Sequence, residues 1–232
     1  MHWCHQWNTD FLYARSEINQ IAAWLADCGL RLLDLHSPVG PEKDWAASQE
    51  YQRLAGVDLV KNRIAMTARL AGQVVIMHVP DPSGLPPLRR SLDELAPYAR
   101  RHGVRIALEN GSFATISQVL SEYGPDYLGL CYDAGHGNVD GDGLDRLDAL
   151  KHRLISVHLH DNDGRSDQHK LLFSGTVDWA RLAGIIARSA YTKCVSMEIV
   201  MRDPGTPDEP AFLAQARQTG TRFAAMIASA VQ

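Results

Sequence analysis

Cysteine is scarce in this chain. Cys4, Cys28, Cys131 and Cys194 lie far apart and form no CxxC pair. That spacing argues against a disulfide framework or a zinc knuckle and suits reduced thiols in a cytosolic protein. Long apolar runs are missing as well: none approaches the roughly 20 residues of a membrane-spanning helix. No basic-then-apolar leader opens the chain, so neither secretion nor a membrane partner is expected. Charge of one sign is not in excess, because 23 Lys and Arg against 27 Asp and Glu leave a formal net charge of −4. Such a balance carries no electrostatic footprint for nucleic acid, although a local basic face is compatible with it. There is no glycine-rich loop of phosphate-cradling spacing, no internal repeat, no low-complexity tract and no linker. One domain over 1–232 is expected, long enough to bury a core.

What is present is an alternation of short apolar runs with segments of helical period. Strands are expected at roughly 1–5, 30–36, 73–78, 104–109, 127–133, 154–160 and 194–200, with a weak one near 170–173. Runs such as VVIMH are apolar without alternation, as in parallel strands covered on both faces. Ser16 is expected to cap a helix carrying Ile21, Trp24, Leu25 and Cys28 on one stripe, stopped by Gly29. A helical region spans about 45–71. Ser91 to Glu94 reads as a capping box for a helix ending at His102-Gly103. Further helices follow Ser112 or Thr115 and Asp178, and a last one covers about 210–230. This pattern and the length predict an α/β fold, a single (β/α)₈ TIM barrel. The first strand is expected to be short. Pro/Gly clusters at 80–87 and 203–210 read as loops after strands, where barrels carry their chemistry.

The chemistry lies in where acids and imidazoles fall. Glu109 closes RIALEN, Asp133 closes LGLCYD, His158 lies in ISVHLHD and Glu198 in CVSMEIV. A coordinating side chain at the buried end of a strand is costly without a partner. A divalent metal shared at the C-terminal end of the strands is the economical answer. His36, His78, His136, Asp167 and His169 also fall at strand ends or on the loops that follow. Several carboxylates buried together without a cation would raise one another's pKa values at a cost of several kcal/mol. His158 and His160 share one face of their strand by the period of two, with His160 expected in the lesser role and Asp161 orienting a ligand.

The ordered set LEN, YDAGH, VHLHDN, DQH…GTVDW and MEI resembles the xylose-isomerase-like TIM barrels. That superfamily joins sugar isomerases and epimerases to abasic-site nucleases of the endonuclease IV type. The resemblance covers nearly the whole chain. In its epimerase branch it implies one metal held by Glu109, Asp133, His158 and Glu198, with both glutamates also serving as acid and base. It further implies that His136 and Arg165 contact the substrate. In the nuclease branch it implies three zinc ions, with His36, His78, His136, Asp167 and His169 as additional ligands. The loop SDQHKLLFSG lacks the proline-glycine-glutamate run often found before the GTVDW-like segment, so the cover over the site is expected to differ.

Two readings of function follow. The first is an isomerase or epimerase of a small keto- or aldo-sugar, working through a metal-stabilised enediolate; a sugar dehydratase uses the same first step. A donor set of three oxygens and one nitrogen favours Mn²⁺ or Mg²⁺, with Zn²⁺ or Co²⁺ as alternatives. The second is a zinc phosphodiesterase on abasic DNA, favoured by the imidazole-rich set and opposed by the charge balance. A free sugar is preferred over a sugar phosphate, and oligomeric state is left open.

Overall fold

In the computed structural model, residues 2–4, 11–37, 40, 42–201 and 208–230 are described, residues 2–4 through their backbone only. Positions 1 and 5 of the expected first strand, and most of the loop expected at 203–210, lie outside the described residues. The chain divides into two compact units, Met1–Gly129 and Leu130–Gln232.

The first unit alternates strand and helix throughout. Its elements are β1 (His2–Cys4), α1 (Arg15–Asp27), β2 (Asp34–His36), α2 (Glu50–Arg69), β3 (Val74–His78), α3 (Leu85–His102), β4 (Arg105–Glu109) and α4 (Phe113–Glu122). β1 pairs with β2, β2 with β3 and β3 with β4, all in parallel. Parallel neighbours need a crossover, and the intervening helices supply it. The register sets Cys4 beside His36, His36 beside Ile76, and His78 beside Glu109. Polar strand ends are thereby aligned at one edge of the ladder.

Packing explains where the helices begin and which faces they bury. Ile18, Ile21 and Leu25 of α1 pack with Tyr13, Leu32, Leu35, Met66 and Leu70. Trp24, expected on that stripe, is instead 55% exposed, and Cys28 is exposed too. The helix also starts earlier than Ser16. Glu17 reaches back to the Ala14 amide at 2.6 Å, so a side chain from the first turn caps the backbone from within. Gly29, at φ 64°, follows as expected.

α3 departs further from expectation, beginning at Leu85 rather than near Ser91. Pro86 and Pro87 sit in its first turn, where a missing N–H is tolerated. Ser91 is thus inside the helix and buried, donating to the Trp45 carbonyl at 2.6 Å and accepting from Arg53 Nη1 at 3.0 Å. Arg53, only 2% exposed, also donates to Glu50 and Glu94, tying α2 to α3. α2 itself starts at Glu50, because 45–49 precede it as non-helical chain against which Gly56 packs. A Cβ on Gly56 would overlap the backbone at Asp44 and Trp45.

β5 (Leu128–Asp133) enters the second unit at Leu130. It is followed by α5 (Ala134–Asp140), α6 (Gly143–Leu150), β6 (Leu154–His158), α7 (Trp179–Ala187) and α8 (Glu209–Ser229). β5 and β6 pair in parallel with Asp133 opposite His158, after an irregularity between Leu130 and Cys131. Trp179 anchors the helices, its ring 5.4 Å from Phe173 and 5.1 Å from Phe223. The run 194–200 makes a single parallel bridge, Leu159 with Met197, and the run near 170–173 a single antiparallel one, Asp161 with Lys170. The described residues therefore form six strands, fewer than the eight of a full barrel. None of the described helices is long and apolar enough to cross a membrane.

Candidate active site

In the first unit, β2, β3 and β4 each end on a donor side chain. His36 Nε2 lies 3.1 Å from Glu109 Oε2 and 3.2 Å from His78 Nε2, and His78 Nε2 lies 3.4 Å from the same carboxylate oxygen. The two rings meet edge to face at 4.8 Å. His36 Nδ1 sits 3.2 Å from the Ser37 carbonyl, which can only accept, a contact that calls for a proton on Nδ1. A ring carrying only that proton would turn an Nε2 lone pair toward a carboxylate that is 1% exposed and toward a second imidazole. Lone pairs converging in a buried place repel unless a cation is shared among them. The chain turns sharply after Glu109, with φ 47° at Asn110 and 88° at Gly111. A Cβ on Gly111 would strike the Val79 carbonyl, so glycine is required there.

The second unit holds a further set. One ligand atom each from Asp133, His158 and Glu198 lies within 4.8 Å of the others, and His158 Nδ1 is 3.0 Å from Glu198 Oε2. Strand register sets Asp133 beside His158. Glu198 is seated by its own amide, which donates to the Leu159 carbonyl at 3.1 Å. Asp133 also caps α5, Oδ1 accepting from the His136 amide at 2.9 Å.

Beside this set lie His136, His160, Asp167 and His169. His169 Nδ1 bonds the Glu198 carbonyl at 2.7 Å, so this nitrogen is the donor, and Nε2 then faces Asp167 Oδ2 at 2.9 Å. Here too a neutral ring would set a lone pair against a carboxylate, an arrangement that a proton or a metal resolves. His136 Nε2 is 3.6 Å from the same oxygen. His169 has φ 49°, an uncommon conformation for a non-glycine residue and a mark of tertiary constraint. His160 is fully buried, with Nε2 3.0 Å from Asp133 Oδ1. Burial lowers its pKa, but the adjacent Asp133 carboxylate and the charges of Asp167 and Glu198 outweigh burial and leave it raised.

The loop from 162 to 177 is pinned from within. Asn162 Nδ2 donates to the Gly135 carbonyl at 2.8 Å, and its Oδ1 accepts from Asn138 Nδ2 and the Gly164 amide. Asp163 accepts from the amides of Arg165 and Ser166. Asp161, expected to orient a ligand, is instead engaged by the Asn162 and Val177 amides and by the Trp179 indole N–H at 2.8 Å. Its two oxygens hold backbone and core rather than an imidazole.

The sequence-expected residues are grouped as follows within each unit. His36, His78 and Glu109 meet in the first unit; Asp133, His158 and Glu198 meet in the second, with His136, Asp167 and His169 forming their own group. Arg165 is exposed. His160, expected in the lesser role, and Asn162, not singled out at all, are the residues that sequence reasoning undervalued. The alternation in VHLHD placed His160 on the right face, yet nothing in the sequence marked its partner.

The chain belongs to the xylose isomerase-like TIM barrel family, whose model matches residues 2–216. It is 29% identical to the uncharacterized protein y4fM of Sinorhizobium fredii, over 97% of this chain and 85% of that one. Its fold is similar to that of a D-tagatose 3-epimerase-like protein, with a TM-score of 0.78 and 18% identity over 94% of this chain and 86% of the other. It is similar also to the 3-keto-D-glucoside 4-epimerase YcjR from E. coli, at a TM-score of 0.69 and 19% identity over 90% and 85%.

Proposed function

We propose that this protein is a divalent-metal-dependent isomerase or epimerase of a small keto- or aldo-sugar. The observation that carries the reading is the convergence within 4.8 Å of Asp133 and His158, at the ends of β5 and β6, with Glu198, next to the Met197 bridge. The epimerases of similar fold lend support. In this reading residues 1–232 make one (β/α)₈ barrel, and Glu109 is the fourth ligand beside those three. Mn²⁺ or Mg²⁺ suits three oxygens and one nitrogen, with Co²⁺ or Zn²⁺ as alternatives. A cytosolic location belongs to the same reading, on the strength of the scattered cysteines.

A bound divalent ion would act as a Lewis acid on a substrate carbonyl and stabilise the enediolate charge. The protein's own part is to move protons. Of Glu109 and Glu198, one removes the proton α to the carbonyl and the other returns one on the opposite face. His136, half exposed above Asp133, and Arg165 hold substrate oxygens. Loss of a β-hydroxyl after the same enolisation would make the outcome a dehydration.

Incubation with a panel of ketoses in D₂O is the test. Deuterium should enter one substrate carbon, and no exchange with any sugar would remove the reading.

A second reading draws on a separate observation. His36 and His78 in the first unit, and His136, Asp167 and His169 in the second, are donor groups beyond what one metal needs. They suit a zinc cluster clamping the oxygens of a phosphodiester, with abasic DNA as the substrate. Metal analysis of protein purified without chelator separates the two. About one ion per chain supports enolisation, whereas up to three zinc ions with nicking of an abasic duplex supports hydrolysis.

A further inference from the structure

Turns at positive φ in this chain are mostly made with glycine, Gly29 and Gly103 among them. Asn110 is an exception, with φ 47° immediately after Glu109. Asparagine is tolerated in that conformation because its short side chain can bond nearby backbone and offset the strain. Asn110 lacks that compensation. Among the described residues its side-chain amide makes no hydrogen bond, whether to backbone or to another side chain. It is half-buried all the same. Nor does the turn depend on it. The Val79 amide donates to the Glu109 carbonyl at 3.2 Å, and Gly111, at φ 88°, fits against the Val79 carbonyl. The glycine that the turn requires is therefore already present, one residue further on.

We propose that Asn110 is a substrate-binding residue whose amide holds a hydroxyl of the sugar, next to the carbon at which Glu109 acts. The inference rests on the reading of Glu109 as acid or base in a sugar site. Consecutive Cα atoms lie about 3.8 Å apart. A sugar whose reacting carbon meets Glu109 carries oxygens on the adjacent carbons, within reach of the next residue along the chain. A hydroxyl both donates and accepts, and a side-chain amide offers both in return. An amide with no partner inside the protein bonds the substrate without first breaking a bond of its own. A sugar lacking that hydroxyl would leave the amide unpaired, so the contact selects as well as binds.

Two substitutions separate this role from that of a turn residue. Glycine suits φ 47° and removes the amide, whereas alanine removes the amide and keeps the strain. Full-length wild type, Asn110→Gly and Asn110→Ala would be compared with Mn²⁺ present, on a ketose panel in D₂O that includes D-fructose and D-tagatose. The readouts are kcat and KM for deuterium exchange into the ketose that wild type labels fastest, and Tm. Both variants should raise KM roughly 3- to 10-fold with kcat nearly unchanged, the loss expected of one uncharged hydrogen bond. Asn110→Gly should melt no lower than wild type, and Asn110→Ala should melt below Asn110→Gly. In a monodeoxy series of the same ketose, one member should show equal KM with wild type and Asn110→Gly, because the contact is then missing from both.

An unchanged KM in Asn110→Gly would overturn the inference and leave the role of Glu109 standing. A fall in kcat alone would overturn it too, because Asn110 would then act by setting the backbone of Glu109. So would a KM gap that persists across every monodeoxy form. No exchange by wild type with any ketose would remove the sugar reading and this inference together.

Discussion

The donor groups of the two units use the same chemistry and are held in different ways. In the first, His36, His78 and Glu109 each end a regular strand, and parallel register alone brings His78 beside Glu109. In the second, register aligns Asp133 with His158, but Asp167, His169 and Glu198 stand on irregular backbone. There the holding is done by side chains, Asn162, Asp163 and Asp161 among them, and by the strained φ of His169. A ladder of backbone bonds tolerates substitution at any one side chain. A polar network does not, because each lost partner leaves a buried group unsatisfied. The second unit should therefore be the more fragile half of the chemistry.

The largest effect that sharpens this contrast is expected at Glu198. Glu198→Gln keeps the size of the side chain and removes the base, so solvent exchange into a ketose should fall by about 10²–10⁴-fold. His36→Gln, in the first unit, should lower exchange far less if one metal is held mainly by Glu109, Asp133, His158 and Glu198. Equal losses in the two variants would mean that the first unit's group carries a metal of its own in the reaction. Full exchange activity in Glu198→Gln would take this residue out of the mechanism.

Removal of metal comes next in size. Binding to the folded chain alone stabilises it by about 2.7 kcal/mol at a metal concentration 100 times Kd. For a chain of this length that corresponds to roughly 5–10 °C in Tm. Calorimetry before and after chelation, with Mn²⁺ or Zn²⁺ added back, checks the shift. Hydrogen exchange would show where the loosening falls, with 160–170 expected to loosen before 105–109. Uniform loosening, or no change in Tm, would count against a metal as the cation these groups share.

Asn162 offers a smaller and more local test. Its side chain bonds the Gly135 carbonyl, the Asn138 amide and the Gly164 N–H together. Asn162→Ala leaves buried groups without partners and should cost about 1–3 kcal/mol. Amide exchange over 163–170 should quicken while 74–78 keeps its protection. If both segments loosen alike, the second unit's donors are not held by this network.

How much of this was legible beforehand follows from the same contrast. Strand ends are marked in the sequence by an apolar run that meets an acid or an imidazole, so Glu109, Asp133 and His158 could be placed at the ends of their strands. Helix ends set by local chemistry were legible too, such as the Ser112 and Asp178 caps, whose side chains accept from Thr115 and Arg181 amides. Register, tautomer and three-way side-chain bonding were not, because they depend on partners distant in sequence. Ser91 shows the limit. Ser91 to Glu94 has the spacing of a capping box, yet Pro86 and Pro87 had already started the helix. With the helix already begun, the serine became a buried link between Trp45 and Arg53. The runs 194–200 and 170–173 have strand composition and make only one bridge each.

The smallest expected effect tests whether the first unit, despite its backbone ladders, also depends on side-chain bonding away from its donors. Arg53 reaches Glu50 at 2.7 and 2.9 Å and Glu94 at 2.6 Å. The Arg53 hydrogen bond is the main cause that draws the Glu50 carboxyl from its ordinary 4.5 down to about 2, with the Arg53 and Arg90 charges adding to it against desolvation. A carboxyl whose pKa is depressed on folding contributes stability above its unfolded pKa and loses it as pH falls through the folded value. Arg53→Met should thus lower Tm by a few degrees at neutral pH, because both carboxylates are partly exposed and remain hydrated. The gap between wild type and variant should hold down to about pH 5 and close toward pH 2. A gap that keeps its size across that range would assign the loss to packing of the Arg53 stem, and the first unit would then rest on its strand ladder and apolar core alone.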